Sequence, residues 1–128
     1  MPRVSTFARI KSEVLAVVAD IPEGRVTTYG AIGKSLGVTA RQAAYVQARL
    51  TPEESASVPW FRVVASKGVI STMKLGSVGR RQVARLQDEG VTVTPRHKVE
   101  GFDSVFWSPE PVKTGAARRT RPGTVSRR

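Results

Sequence analysis

The stretch Tyr29-Gly30-Ala31-Ile32-Gly33-Lys34-Ser35-Leu36-Gly37-Val38-Thr39 decides the fold, because it predicts a short helix, a tight turn and the start of a second helix. Thr28 can cap the first helix, over Tyr29 to Leu36, and Gly37 suits the left-handed turn that ends it. Thr39 can cap the second helix, which carries Arg41 through Leu50. Two helices joined by so short a turn predict a helix-turn-helix, whose second helix usually meets DNA.

Longer helices are predicted on either side of this unit. The segment Ser5 to Ala19 has apolar residues every three or four positions, the period of a helix with one buried face. Pro22 ends it, because proline cannot continue the backbone hydrogen bonding of a helix. Ser77 to Glu89 predicts a further helix that is closed by Gly90. The apolar positions are Phe7, Ile10, Val14, Val17 and Val18 in the first helix and Val83 and Leu86 in the last.

A small β element is predicted between these helices. Val63-Val64-Ala65 and Val69-Ile70-Ser71 flank Ser66-Lys67-Gly68, a pattern typical of a short hairpin with glycine in its turn. The expected fold class is therefore mostly α with a small β-hairpin wing, a winged helix-turn-helix. With 128 residues there is room for one modest core, and we predict one domain over residues 1–110.

Composition excludes several kinds of chemistry. The chain has no cysteine, so disulfides, thiolate metal sites and cysteine nucleophiles are excluded. His97 is the only histidine, lies between two cations and is expected at the surface; neither a metal site nor a cofactor is predicted. The longest apolar run, Val14 to Ala19, is far below the roughly 20 residues that span a bilayer. We expect a soluble intracellular protein without a membrane partner.

The net charge of +11 comes from 21 Lys and Arg residues against 10 Asp and Glu residues, and it favours a polyanionic partner. Nucleic acid is the leading candidate, although basic segments also bind anionic membranes or keep proteins soluble. Lys113 to Arg128 holds six of the cations and no acid, and it is too poor in apolar residues to offset chain entropy. We predict a disordered basic tail over residues 111–128; a merely solubilising or artificial end is the alternative.

Two motifs resemble one family of DNA repair proteins. Ile21-Pro22-Glu23-Gly24-Arg25-Val26-Thr27-Thr28-Tyr29-Gly30-Ala31-Ile32 looks like the entry to the DNA-binding half of O6-alkylguanine-DNA alkyltransferases, and Pro59-Trp60-Phe61-Arg62-Val63 resembles their Pro-Cys-His-Arg-Val motif. In the alkyltransferases that cysteine takes the alkyl group. In alkyltransferase-like proteins it is replaced, commonly by tryptophan, and this chain is similar to that second group from about Phe7 to Trp107.

The resemblance implies that alkyl transfer is lost and that no catalytic residue remains. Trp60 has no nucleophilic atom suited to accepting an alkyl group. Phe61 stands where the family has a proton-relaying histidine, and phenylalanine neither donates nor accepts a proton. Glu89 matches the acid that orients that histidine, so a structural role is expected for it. Both aromatic residues could instead be ordinary core residues.

The family likeness also implies a lesion-binding pocket formed by Trp60, Phe61, Tyr29, Met73 and Lys74. An aromatic wall can bury an O6-alkyl group and stack on a flipped base. Tyr29 matches a tyrosine that pushes on the phosphate 3′ of the target, although its hydroxyl could simply cap a local backbone group. Met73 stands where several relatives have an arginine over the base, and Lys74 could supply the missing charge.

Contacts to DNA are expected along the second helix of the helix-turn-helix. Arg41 matches an arginine that the family inserts into the duplex in place of the flipped nucleotide; the alternative is an ordinary phosphate contact. Tyr45 departs from the small residues usual there and could face the core. Arg62 and Lys67 could touch phosphate or brace the loop. The predicted DNA-binding residues are Arg41, Gln42, Ala43, Ala44, Thr39, Arg62 and Lys67.

The resemblance therefore predicts a non-enzymatic DNA-damage sensor. It would bind double-stranded DNA containing O6-alkylguanine, flip the nucleotide and present the complex to nucleotide-excision repair proteins. It would act as a monomer in the cytoplasm, associated with the nucleoid. The alternative function is a winged-helix transcription regulator or nucleoid-associated protein that binds undamaged DNA, for which the helix-turn-helix and the basic tail would suffice.

Overall fold

The computed structural model describes residues 6–110, and the predicted basic tail lies outside the described residues. Short 3-10 turns at 60–62, 66–68 and 71–75 connect the regular elements. No helix within the described range is both long and apolar enough to cross a bilayer. The elements are α1 (Thr6–Ala19), β1 (Thr27–Thr28), α2 (Tyr29–Leu36), α3 (Ala40–Gln47), α4 (Pro52–Ser57), β2 (Val63–Val64), α5 (Ser77–Asp88) and α6 (Phe102–Val105).

Helix α1 packs its apolar stripe against the helix-turn-helix. Ile10, Val14, Val17 and Val18 are buried, as their spacing predicts. Phe7, at the start of the stripe, is instead 37 % exposed and contacts the ring of Tyr45 edge to face. The buried face of α1 therefore begins one turn later than the sequence pattern predicts.

The helix-turn-helix forms as predicted because its capping signals are all used. Thr28 accepts a hydrogen bond from the backbone N–H of Ala31, and Gly37 ends α2 with φ 76°. At the start of α3, Thr39 and Gln42 bond each other's backbone N–H groups in a capping box. Helix α3 ends at Gln47, three residues before the predicted Leu50.

The two helices cross closely at Gly33. A Cβ atom on this residue would lie 2.5 Å from the carbonyl oxygen of Val38 and 2.9 Å from the carbonyl carbon of Thr39. Any side chain there would push the turn away from α2. Gly33 therefore sets the distance between α2 and the start of α3.

The predicted β-hairpin is wrong in its strand pairing. Val63 and Val64 pair in parallel with Thr27 and Thr28, so the sheet joins segments far apart in sequence. One backbone hydrogen bond, from Ala65 N–H to the Val69 oxygen, closes the turn between the two apolar segments. The returning segment then pairs with another part of the chain, through a bridge between Val69 and Lys98 and a bond from Ile70 N–H to the His97 oxygen. Because the returning segment takes its backbone partners at His97 and Lys98, it forms no ladder with β2.

Two apolar clusters meet at the small sheet. The first joins α1, α2 and α3 through residues such as Val18, Ile32 and Val46. The second lies between the sheet, α5 and the segment 91–99, and includes Phe61 and Leu86. Val63 belongs to the first cluster and Val64 to the second, so β2 separates them.

Candidate functional site

A cavity of about 870 Å³ lies between the helix-turn-helix and α5. Its size falls within the range of roughly 300–1,000 Å³ that is usual for small-molecule sites. Tyr29 borders it from the start of α2, Ala44 and Gln47 from α3, and Trp60 from the segment before β2. Leu50, and Pro52, Ser55 and Ala56 of α4, form another part of the wall. The 71–75 turn and α5 contribute Ser71, Lys74, Leu75, Val78, Arg81 and Arg85, among others.

Trp60 borders this cavity while its neighbour Phe61 does not. The Trp60 side chain is half-buried and meets the Phe61 ring edge to face, with 6.0 Å between ring centroids. Phe61 is only 4 % exposed and packs in the second apolar cluster. Of the five residues predicted for the pocket, the structure brings Trp60, Tyr29 and Lys74 together. It places Phe61 behind Trp60 and packs Met73 against the second cluster, outside the cavity lining.

The Trp60 segment is fixed by a buried amide that sequence reasoning missed. The side-chain Nε2 of Gln82 donates to the backbone oxygens of Phe61, at 2.9 Å, and Val63, at 2.8 Å. Its Oε1 accepts a hydrogen bond from the Thr72 hydroxyl. One side chain on α5 therefore ties the Trp60 segment to the 71–75 turn. A glutamine within a helix carries no sequence signal of such a role.

Gln47 on α3 holds the Trp60 segment from the other side. Its Nε2 donates to the backbone oxygen of Trp60 at 3.2 Å. Its Oε1 is buried and has no hydrogen-bond partner among the described residues. No motif or spacing in the chain singles out this residue either.

Tyr29 presents a neutral phenol to the cavity. Burial raises the pKa of its hydroxyl, and a side-chain hydrogen bond with Ser71 partly offsets that increase. The hydroxyl therefore keeps its proton at neutral pH. It can donate or accept a hydrogen bond within the cavity.

The cavity wall is cationic on its α5 side. Lys74, Arg81 and Arg85 border it, and no Asp or Glu is among the described residues that do so. The Arg85 guanidinium lies 4.5 Å from the centroid of the Phe61 ring, within range of a cation–π contact. The two arginines were not predicted, because only the tertiary fold brings α5 to this wall.

The Arg62 guanidinium is bonded to groups within the protein and braces its loop. Its prediction as a DNA contact is therefore corrected. Its Nη1 donates to the Ile21 oxygen at 2.7 Å, and its Nε and Nη2 bond the carboxylate of Glu89. The Arg62 and Glu89 side chains are only 15 % and 11 % exposed. Burial alone would raise the pKa of Glu89, but the hydrogen bonds from Arg62 and from the Gly24 N–H, with the charges of Arg62 and Arg85, hold it below its usual range. The predicted structural role of Glu89 agrees with this geometry.

The outer face of α3 exposes some of the predicted DNA-binding residues and hides one. Arg41, Gln42 and Thr39 are exposed, and Ala44 borders the cavity. Ala43 is completely buried in the first apolar cluster, so its prediction as a DNA contact is wrong: it lies on the face of α3 that packs against the domain.

Tyr45 is half exposed rather than turned to the core. The Arg49 guanidinium stacks on its ring at 3.8 Å.

Lys67 and His97 lie away from the cavity. Lys67 is exposed at the 66–68 turn, where it adopts a left-handed conformation with φ 61°. His97 is exposed at a second turn with φ 64°. Within residues 6–110 no group of three or more His, Cys, Asp or Glu side chains could hold a metal ion.

The fold and the cavity together define a helix-turn-helix DNA-binding domain with a pocket beside its second helix. The family model of the 6-O-methylguanine DNA methyltransferase DNA-binding domain matches residues 9–91. The chain belongs to this family.

Similarity to individual proteins places the chain among the alkyltransferase-like members. It is 39 % identical over 84 residues to Alkyltransferase-like protein 1 of Schizosaccharomyces pombe, which covers 64 % of this chain and 76 % of that protein. It is 36 % identical over 97 residues to a DNA base-flipping protein of Vibrio parahaemolyticus, covering 76 % of this chain and 94 % of that protein.

The fold also matches that of a protein whose structure was solved in complex with DNA. The crystal structure of S. pombe Atl1 with damaged DNA containing O6-carboxymethylguanine matches with a TM-score of 0.69 and 33 % identity, over 84 % of this chain and all of that chain. The predicted resemblance to alkyltransferase-like proteins and the predicted winged helix-turn-helix class are confirmed.

Proposed function

We propose that this protein is a non-enzymatic DNA-damage sensor that binds O6-alkylguanine in duplex DNA, with the flipped nucleotide in the cavity beside Trp60. The observation that carries the proposal is the cavity itself, which an indole borders at the position where the family's motif has cysteine. Relatives named for base flipping, and one solved with damaged DNA, support the same function.

The cavity is unsuited to alkyl transfer. The chain has no cysteine, and the indole of Trp60 is not a nucleophile for an alkyl group. Phe61, in the place of the family's histidine, is buried and cannot relay a proton. The Glu89 carboxylate, which would orient such a histidine, is already bonded to Arg62. Binding is then the whole of the function.

Binding can select the lesion without a covalent step. Stacking of a flipped base on an aromatic side chain contributes about 1–3 kcal/mol. Extruding a nucleotide costs a few kcal/mol, and less when the damaged base pairs poorly. Leu75 and Val78 add apolar surface to the wall, against which an alkyl group can be buried. O6-alkylguanine therefore enters more readily than guanine and makes more contacts.

Residues around the cavity have distinct proposed roles. Arg41, exposed at the start of α3, inserts into the duplex where the flipped nucleotide leaves a gap. Tyr29 directs its hydroxyl toward the flipped nucleotide's phosphate. Lys74 supplies positive charge near the base, a role in which Arg81 and Arg85 assist. Thr39, Gln42 and Lys67 contribute contacts to the DNA backbone.

The later steps of the pathway rest on the family resemblance. We propose that the protein acts as a monomer, at the nucleoid in the cytoplasm, and presents its complex to nucleotide-excision repair proteins. Residues 1–110 form the DNA-binding domain in this proposal, and the basic segment 111–128 adds affinity for any DNA through its charge.

A matched affinity measurement tests the proposal. Fluorescence anisotropy compares one labelled duplex with O6-methylguanine and the same duplex with guanine at that position. We expect tighter binding of the damaged duplex, with both forms of DNA recovered unaltered. Equal affinities would reject the sensor. Selection from random undamaged duplexes checks the alternative, because a strong consensus of normal bases would indicate a transcription regulator.

A further inference from the structure

The outer face of α3 carries an exposed stripe of three side chains spaced four residues apart. Arg41, Tyr45 and Arg49 recur at the interval that places side chains on one side of a helix. All three are exposed, Tyr45 to 50 %. Arg49 follows the end of α3 by two residues, and its backbone N–H still donates to the Val46 oxygen at 2.9 Å. The stripe therefore extends about 12 Å along the helix from Arg41.

The Arg49 guanidinium is positioned by aromatic rings rather than by an acid. Its central carbon lies 3.8 Å from the centroid of the Tyr45 ring. That ring is supported in turn by the edge-to-face contact with Phe7, at 5.7 Å between ring centroids. No ion pair involving Arg49 forms within residues 6–110. Stacking uses the face of a guanidinium, so the N–H groups along its edge stay available to an anion.

The two flanks of α3 differ, and the difference indicates which DNA strand Arg49 meets. Ala44 and Ala48 border the cavity from one flank. Tyr45 and Arg49 do not border it, and they lie toward Phe7 of α1. A helix that lies in a groove of a duplex has one strand on each side. Because the flipped nucleotide leaves its strand on the cavity side, the flank with the stacked pair faces the complementary strand.

We infer that Arg49 binds a backbone phosphate of the complementary, undamaged strand, and that Tyr45 is its positioning residue. This inference rests on the proposed function and adds a second DNA contact to the α3 face, about two helical turns from Arg41. A guanidinium can donate two parallel hydrogen bonds to phosphate oxygens. Such a contact carries no sequence information, but it fixes the register of the protein on the duplex, with the cavity beside the damaged strand.

A cycle between protein variants and neutralised phosphates tests the inference. Wild type and Arg49→Met are each titrated with O6-methylguanine duplexes in which one phosphate at a time is replaced by an uncharged methylphosphonate. The replacement is moved along the complementary strand, over about five nucleotides on either side of the base opposite the lesion, since phosphates recur about every 3.4 Å along the axis. The damaged strand is scanned in the same way. Any effect of the methylphosphonate on the duplex itself cancels between the two proteins.

We expect one methylphosphonate in the complementary strand to weaken wild-type binding about tenfold, as loss of a charge-assisted hydrogen bond does. The same replacement should weaken Arg49→Met less than about twofold, because the contact is already absent. Arg49→Met should also flatten the slope of log affinity against log salt by about 0.9, the value for one phosphate. Arg25→Met is the matched control: Arg25 is exposed between α1 and β1, and its variant should keep the tenfold effect.

Two substitutions separate positioning by Tyr45 from a merely structural role. Tyr45→Phe keeps the ring under the guanidinium, so the methylphosphonate effect should remain as in wild type. Tyr45→Leu removes the ring and leaves the charge of Arg49, so the effect should fall to about threefold as the guanidinium loses its fixed position. Urea unfolding shows whether the two variants are equally folded. Equal methylphosphonate effects in Tyr45→Leu and wild type would remove Tyr45 from this role.

Two results would overturn the assignment of Arg49. One is a complementary strand in which no position distinguishes wild type from Arg49→Met, and the other is a position that does so only in the damaged strand. Failure of the sensor proposal is recognised separately, as equal binding of O6-methylguanine and guanine duplexes with every phosphate intact.

Discussion

Arg41 and Trp60 have different tasks in the proposed complex, and the structure gives each a suitable position. Trp60 is half-buried, borders the cavity and has its backbone oxygen bonded to Gln47. Arg41 is exposed on the outer face of α3, with no ion-pair partner in the part of the chain that the structure describes. The indole can receive a base, and the guanidinium can enter the duplex.

Replacing Arg41 should weaken binding of the lesion more than it affects the fold. We expect Arg41→Ala to cost about 1–3 kcal/mol in affinity for the O6-methylguanine duplex, because a stacked guanidinium is lost. Anisotropy titration measures the loss. Arg96→Ala is the control, since Arg96 is exposed on a turn outside the cavity lining. An unchanged dissociation constant for Arg41→Ala would remove this residue from the site.

The ion pair between Arg62 and Glu89 should make stability depend on pH. The pKa of Glu89 is lowered in the folded state, so its stabilising effect is present above the unfolded value of about 4.3 and is lost as pH falls through the folded value. We expect Glu89→Gln to lose about 1–3 kcal/mol at pH 7, because hydrogen bonds to a charged group are weakened. The difference from wild type should shrink toward pH 3.

Urea unfolding across this pH range measures the effect. Glu100→Gln is a suitable control because Glu100 is exposed and has no ion pair among the described residues. A difference between wild type and Glu89→Gln that stays constant from pH 7 to pH 3 would contradict the assigned role of the ion pair.

At the scale of elements, the spacing of α2 and α3 depends on a glycine. The Cβ of Gly33→Ala would lie 2.5 Å from a backbone oxygen of the turn, and that oxygen cannot move without shifting α3. We expect a loss of about 1–3 kcal/mol in unfolding free energy, as for other overpacked sites. Gly30→Ala, on the same helix, meets nothing closer than 3.9 Å and should leave stability unchanged or slightly higher.

Thermal and urea denaturation of the two alanine variants provide the measurement. Equal stability of Gly33→Ala and Gly30→Ala would show that the turn tolerates a side chain. The close crossing would then not be what positions α3 beside the cavity.

Local signals in the sequence were sufficient for α1, α2, α3 and α5, whereas the short helices α4 and α6 and the contacts between distant segments were not predicted. The caps at Thr28 and Thr39 and the turn at Gly37 act within a few residues, so α2 and the start of α3 are predicted well. The parallel pairing of β1 with β2 joins residues 36 positions apart, as Thr27 with Val63, and the apolar pattern alone favoured a hairpin instead.

In the candidate site, too, residues within sequence motifs were predicted, whereas residues brought there by contacts between distant segments were not. Trp60, Tyr29 and Lys74 were found through motifs of the family, and all three border the cavity. Gln47 and Arg85 were missed because only the packing of α3 and α5 brings them there. Arg62 was ambiguous between a phosphate contact and a brace, and its buried bonds to Glu89 decide for the brace.

At the scale of the whole molecule, charge should set affinity for any DNA while the cavity sets the preference for damage. The segment Lys113 to Arg128 holds six cations, and its removal lowers the net charge from +11 to +5. We expect this deletion to weaken binding of damaged and undamaged duplexes equally. The slope of log affinity against log salt should flatten, by up to about 5 if all six cations contact phosphate. A loss confined to damaged DNA would contradict this division.

The central claim is that an intact lesion is held beside the indole of Trp60. The chain has two tryptophans, so Trp107→Phe leaves Trp60 as the single indole whose fluorescence can be followed. Titration of this variant with the O6-methylguanine duplex should quench the emission saturably as the base stacks on the ring, with the methyl group still on the DNA afterwards. Undamaged duplex should quench far less at the same concentration. Emission that the lesion leaves unchanged, or methyl transfer to the protein, would contradict the account.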